Sequence, residues 1–174
     1  HPLTVVNYTL LGLASGLVAA GALGALAGDT AFATSVTGWA VATTALAWFT
    51  RGLSLRRNAR LKPKSTAQSA TGIQSPRVVQ KSMGFTGGSF NTREFFHGRS
   101  ALMLRSVKWL FLLLSFVVPA VLLGGVYGLA DSFGQVTLLL TLAFVAQFVG
   151  LIAERWFFFA QANHPQNLYY QTIS

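Results

Sequence analysis

Residues 133–160 read FGQVTLLLTLAFVAQFVGLIAERWFFFA, and the fold turns on how this stretch is read. As a helix rising 1.5 Å per residue it would reach about 42 Å, more than the roughly 30 Å hydrocarbon core of a bilayer. Three further runs, about Val5–Ala27, Ala31–Leu53 and Val107–Leu129, are also long enough to cross. None alternates with period two, and in lipid a backbone must satisfy its own hydrogen bonds, so helices are expected. A mean hydropathy of +0.52 with 10% charged residues excludes an ordinary soluble domain. The predicted fold class is all-α: an integral membrane four-helix bundle. It divides into a hairpin over 1–53, a basic loop over 54–106, and a second hairpin with a C-terminal tail over 107–174.

Charge sets the expected orientation. Twelve of the thirteen Lys and Arg residues lie between Arg51 and Lys108, and the short opposite turns carry Asp29 and Asp131 without a Lys or Arg. Lys and Arg accumulate in cytoplasmic loops, so the 54–106 segment is expected in the cytoplasm, and with two spans on either side both termini follow it. The same rule accounts for the formal charge of +9 without nucleic acid as a partner. The first run is too long for a signal peptide and lacks a basic flank and a cleavage site. The chain begins His1-Pro2 without a Met, which leaves room for an N-terminal portion not included in this sequence. With no cysteine, the chain holds neither a disulfide nor a cysteinyl iron–sulfur cluster, so any cluster belongs to a partner.

Several local patterns carry further expectations. Gly12 and Gly16, and Gly24 and Gly28, have the small-xxx-small spacing of a tight helix seam. Pro119 near the middle of the third run should kink it. Residues 62–82 lack an apolar period and read as a surface connector. Residues 83–98 set Phe85, Phe90, Phe95 and Phe96 among Gly, Asn, Arg, Glu and His, a composition that should pack on a membrane surface, the bundle or another subunit. The glycines here are not a phosphate loop, since no Gly-Lys-Ser/Thr follows.

In the last run Gln147, Glu154 and Gln161 recur every seven residues with His164 three further on, a spacing that turns them toward the bundle. Glu154 is expected at the cytoplasmic boundary. One reading of Glu154-Arg155-Trp156 is an interfacial anchor, with Arg155 snorkelling and Trp156 in the aromatic belt; the other is a functional polar pocket. Glu154 and Arg155 stand about 100° apart on the helix, so each needs its own partner, and Arg93, Glu94 and His97 are candidates. His1, His97 and His164 all lie at helix ends rather than within the spans, so bound haem is not expected. No metal site and no set of catalytic residues emerges.

Phe90-Asn-Thr-Arg-Glu-Phe-Phe-His-Gly98 and Ala153-Glu-Arg-Trp-Phe-Phe-Phe-Ala-Gln-Ala-Asn-His-Pro-Gln-Asn-Leu-Tyr-Tyr170 resemble motifs of the membrane anchor subunits of DMSO-reductase-type molybdoenzymes. The opening Pro2–Gly16 resembles the start of that family's second half. Its members typically have eight spans, and a quinone-site histidine lies in the half that has no counterpart here. The resemblance implies a bacterial inner-membrane subunit that holds an iron–sulfur subunit and a molybdopterin catalytic subunit and exchanges electrons with quinone. Because the basic loop points the motifs to the cytoplasm, the sulfite dehydrogenase (quinone) branch is favoured over the periplasm-facing DMSO reductases. On this reading Arg93, Glu94, His97, Glu154, Arg155 and His164 would supply polar contacts to the quinone head-group, and Trp156, Phe157 and Tyr169 would line its slot. Two alternatives stand beside it: a purely structural anchor, and half of a small transporter.

Overall fold

The computed structural model describes residues 1–61, 68–69, 72–76, 100–130 and 132–161. The chain forms α1 (Pro2–Leu26), α2 (Thr30–Asn58), α3 (Ala101–Leu112), a π-helical segment (Leu113–Val117), α4 (Val118–Gly128) and α5 (Phe133–Ala160). The α3–π–α4 unit is one continuous rod.

Each boundary has a local cause. His1 Nδ1 accepts from the Leu3 N–H at 3.2 Å, Asp29 Oδ1 from Phe32 at 2.9 Å, and Ser100 and Ser132 cap α3 and α5 in the same way. Between α1 and α2, Gly28 takes φ +89°. There the Gly28 N–H reaches Ala25 O at 3.1 Å and the Asp29 N–H reaches Gly24 O at 2.9 Å, the paired bonds of a Schellman stop.

The buried faces follow a heptad. On α1 they are Asn7, Leu11, Ala14, Val18, Gly21 and Ala25, with Ala22 beside them; on α2, Ala33, Thr37, Ala40, Thr44, Ala47, Arg51 and Ser54; on α5, Val136, Leu140, Ala143, Gln147, Gly150, Glu154 and Phe157. Alternate steps of three and four residues keep one narrow stripe of each helix on the seam. Small side chains there let backbones approach closely, which is how helices associate in lipid. α1 packs on α2 and α5, and α4 on α2 and α5, so the rods close a ring with α2 and α5 on the diagonal. The outward faces carry large apolar side chains such as Leu13, Trp39, Phe49, Leu102, Val121 and Ile152, a surface suited to lipid.

Three helical rods, Pro2–Leu26, Leu102–Gly128 and Phe133–Ala160, are long and apolar enough to cross a membrane, which makes this a multi-pass membrane fold. The second helix was expected to be the fourth such span. It is as long as the others but less apolar: besides Thr37, Thr44, Arg51 and Ser54 on its inward stripe it carries Thr34, Ser35, Thr43, Thr50, Arg56, Arg57 and Asn58 elsewhere. The expected ends also move. α2 runs on to Asn58 and α3 begins at Ala101, so both continue into the basic segment. The chain's start, the end of α2, the start of α3 and the end of α5 share one end of the bundle, with most of the described basic residues.

The Gly12–Gly16 seam is not found: both glycines are exposed, and a Cβ at either would meet nothing within 4 Å. In the Gly24–Gly28 pair Gly24 does face a neighbour, an added Cβ lying 2.5 Å from the Phe32 ring of α2, while Gly28 meets nothing within 4 Å. An equally close approach is at Gly150, where an added Cβ would lie 2.5 Å from the Ser115 N and Oγ. Pro119 acts through this same region. It has no N–H to offer the Ser115 carbonyl four residues back, and the chain there winds as a π segment. The Gln147 side-chain amide donates to that carbonyl at 3.3 Å and faces Thr44 Oγ1 at 3.4 Å.

Candidate functional site

The heptad that buries alanines and leucines along most of α2 and α5 delivers an ion pair near the basic end of the bundle. Arg51 and Glu154 fall on inward positions about 10 Å inside their helix ends, at 1.5 Å per residue. Arg51 Nη2 lies 2.6 Å from Glu154 Oε1, with the side chains only 3% and 2% exposed. Their helices are diagonal in the ring, so the bridge crosses the core and ties opposite rods. A charge inside an apolar bundle is tolerated when it is paired, and intramembrane ionisable residues mark functional sites.

The surroundings are uneven. On one side the guanidinium stands over the Phe111 ring, 5.5 Å from its centroid. Below lies a buried apolar layer of Leu11, Ala47, Phe111 and Phe116. On the other side α1 presents Asn7, buried, and Tyr8, and a cavity of about 20 Å³ is bounded by Thr4, Asn7, Tyr8, Arg51, Ser54 and Glu154. Asn7 Oδ1 and Arg51 Nε are buried without a hydrogen-bond partner among the described residues.

A second cavity of about 350 Å³ opens beside the first, lined by Leu55, Asn58, Lys108, Phe157, Phe158 and Gln161. Asn58 and Phe158 belong to both walls, so the ion pair's polar pocket adjoins a mostly apolar slot. The slot is at the lower end of the size range of small-molecule sites.

The residues expected at a site are distributed as follows. Glu154 is buried and held by Arg51. Arg155 is exposed, its guanidinium stacked 3.7 Å from the Tyr8 ring centroid. So Glu154 and Arg155 do have separate partners, but these come from α2 and α1. Trp156 is half-buried and packs against the Leu11, Ala47, Phe111, Phe116 and Phe157 cluster, away from the slot. Phe157 lines the slot and contacts Phe111, ring centroids 5.2 Å apart. Gln147 and Gln161 share the face of Glu154: Gln147 is buried in the core and Gln161 borders the slot. Arg93, Glu94, His97, His164 and Tyr169 lie outside the described residues, as does the whole of the Phe-rich stretch 83–98.

Arg51, Asn7, Tyr8, Ser54, Asn58 and Lys108 were not singled out as site residues. For Arg51 a signal existed. It is the one basic residue within the Ala31–Leu53 run and Glu154 the one acid within 133–160; two lone opposite charges inside apolar helices are each other's natural partners. Asn7 and Tyr8 carry no comparable signal.

Over 173 residues, 99% of its length, the chain is 49% identical to the C subunit of the sulfite dehydrogenase of Allochromatium vinosum. It spans about half of that protein, 51% of its length. No family model matches the chain, and no solved structure does.

Proposed function

We propose that this chain is a membrane-anchoring, quinone-reactive part of a sulfite-oxidising complex. The observation that carries the reading is the mostly apolar slot of about 350 Å³ against the buried Arg51–Glu154 pair, in a chain 49% identical to a sulfite dehydrogenase subunit. Quinone binding calls for a slot for a flat apolar ring, hydrogen-bonding groups for its carbonyls, and a place from which protons come. Phe157, Phe158 and Leu55 supply the walls. Lys108, Asn58 and Gln161 offer donors at the rim. Arg93, Glu94, His97, His164 and Tyr169 belong to segments that join the same end of the bundle and are proposed to complete the site. Molybdopterin and iron–sulfur chemistry would reside in partner subunits docked on the basic face, which we place in the cytoplasm by its Lys and Arg content.

The test compares two activities of the purified complex: sulfite oxidation with a soluble dye and with a quinone. Narrowing the slot with Phe158→Trp is expected to raise the quinone KM about tenfold while the dye rate holds. Equal loss of both rates would point to failed assembly and to a purely structural anchor. A quinone rate untouched by Phe158→Trp would move quinone chemistry elsewhere.

A further inference from the structure

The small cavity beside the ion pair is built from polar groups that the described residues leave incomplete. Asn7, Arg51 and Glu154 are each at least nine-tenths buried, and Asn7 Oδ1, an acceptor, and Arg51 Nε, a donor, lack protein partners among the described residues. A space of about 20 Å³ is enough for a single water, which needs polar partners of this kind. Asn58 and Phe158 separate this space from the larger slot.

Toward the opposite end of the bundle the path closes. The Leu11, Ala47, Phe111 and Phe116 layer is 0–6% exposed. One polar layer follows, where Gln147 Oε1 and Ser115 Oγ are buried without a partner among the described residues. Beyond it Val18, Ala22, Ala25, Ala33, Ala40, Leu123, Leu140 and Ala143 fill the axis at 0–4% exposure.

Taking the proposed quinone slot as its premise, we infer that Glu154 and an internal water held by Asn7, Arg51 and Ser54 form a proton-exchange site serving that slot, open on the basic end and sealed toward the other. Reduction of a quinone to a quinol takes two electrons and two protons. The electrons come from the sulfite-oxidising partner. Each of the two protons in turn passes from water at the basic end to the Glu154 carboxylate and on through the internal water, past Asn58, to the reduced ring. The charged and titratable groups around Glu154 are Arg51 on α2, Tyr8 on α1, its own neighbour Arg155 and, across the slot, Lys108 on α3. Proton uptake is then confined to one side of the membrane, and turnover moves no proton across it.

Two measurements on the whole complex in membranes decide this. In infrared difference spectra over a pH titration, a carboxylic C=O band that shifts in heavy water should vanish in the R51Q/E154Q double variant, which removes both charges together and so avoids leaving one unpaired. Asn7→Leu, which fills the cavity, should keep the band but slow its isotope exchange. In the double variant the ratio of quinone-linked to dye-linked rate should fall roughly a hundredfold, the scale of a lost general acid. An unchanged ratio, or a band that survives the double variant, overturns the inference. In proteoliposomes, alkalinisation on the side away from the basic loop overturns the seal. If the wild-type complex shows no quinone turnover, the proposed function fails and the site's service to the slot fails with it; the infrared band then separately accepts or rejects Glu154 as a proton site.

Discussion

Breaking the Arg51–Glu154 pair from one side should cost far more than removing it whole. At 2.6 Å and an effective dielectric constant of about 20, two unit charges attract by about 6 kcal/mol. Against this stands the desolvation of both ions, several kcal/mol each, so the intact pair adds little net stability. Arg51→Met leaves the carboxylate buried among Phe111, Asn7 and Ser54 with no cation, and should cost about 3–5 kcal/mol; Glu154→Leu should cost a similar amount by stranding the guanidinium. In the double variant R51M/E154L both penalties disappear. Its stability should lie within about 1 kcal/mol of wild type or above it, because an apolar pair of similar volume suits the aromatic layer beneath. For a chain of this size a loss of 1 kcal/mol lowers Tm by about 2–4 °C, so each single variant should drop by about 6–20 °C in detergent and the double variant should recover nearly all of it. The assay is thermal unfolding of the purified protein followed by circular dichroism, run as a double-mutant cycle. Single losses below about 1 kcal/mol, or losses that simply add in the double variant, would refute the claim that the pair is buried and mutually compensating.

Gly150→Ala places a methyl group 2.5 Å from the Ser115 backbone and should cost about 1–3 kcal/mol by overpacking, read as a lower Tm. Gly12→Ala meets nothing within 4 Å and should be neutral or raise stability by up to about 1 kcal/mol through helix propensity; a matching loss at both sites would mean that the seam is misplaced. Gln147→Leu strips the donor from the Ser115 carbonyl that Pro119 leaves open, and should cost about 1–3 kcal/mol for an unsatisfied buried acceptor, measured by the same melt. The chain has no cysteine, so single cysteines at Arg60 and Gly128 report topology directly. A membrane-impermeant maleimide added to intact cells should label Gly128→Cys and spare Arg60→Cys, and the reverse pattern would invert the orientation.

How much of this was legible in the chain varies residue by residue. The all-α membrane class followed from run length and hydropathy, because lipid leaves a backbone few ways to satisfy its hydrogen bonds. The inward turn of Gln147 and Glu154 followed from their seven-residue spacing, because a heptad is a statement about one helix face. The apparent seam at Gly12 and Gly16 misled, since small-xxx-small spacing says that a helix can approach closely but not which side has a neighbour. Gly24 of the second pair, against the Phe32 ring, and Gly150, against Ser115, proved to be where the closest approaches occur. The second helix looked like its companions from its length, and only the packing shows which of its polar residues, Thr37, Thr44, Arg51 and Ser54, face in.

What the amino-acid sequence determined alone was therefore one-dimensional: which segments are helical, which stripe of each is inward, and that the described basic residues gather at one end. The tertiary structure decided the pairings. Arg51 is 103 positions from Glu154 in the chain; their lone opposite charges suit them as partners, but only the ring order, with α2 and α5 on the diagonal, lets two long side chains reach across and meet. The slot beside them exists for the same reason. It forms where the ends of α2, α3 and α5 diverge around side chains chosen by packing, and a cavity is a property of the space between elements, which no single helix encodes.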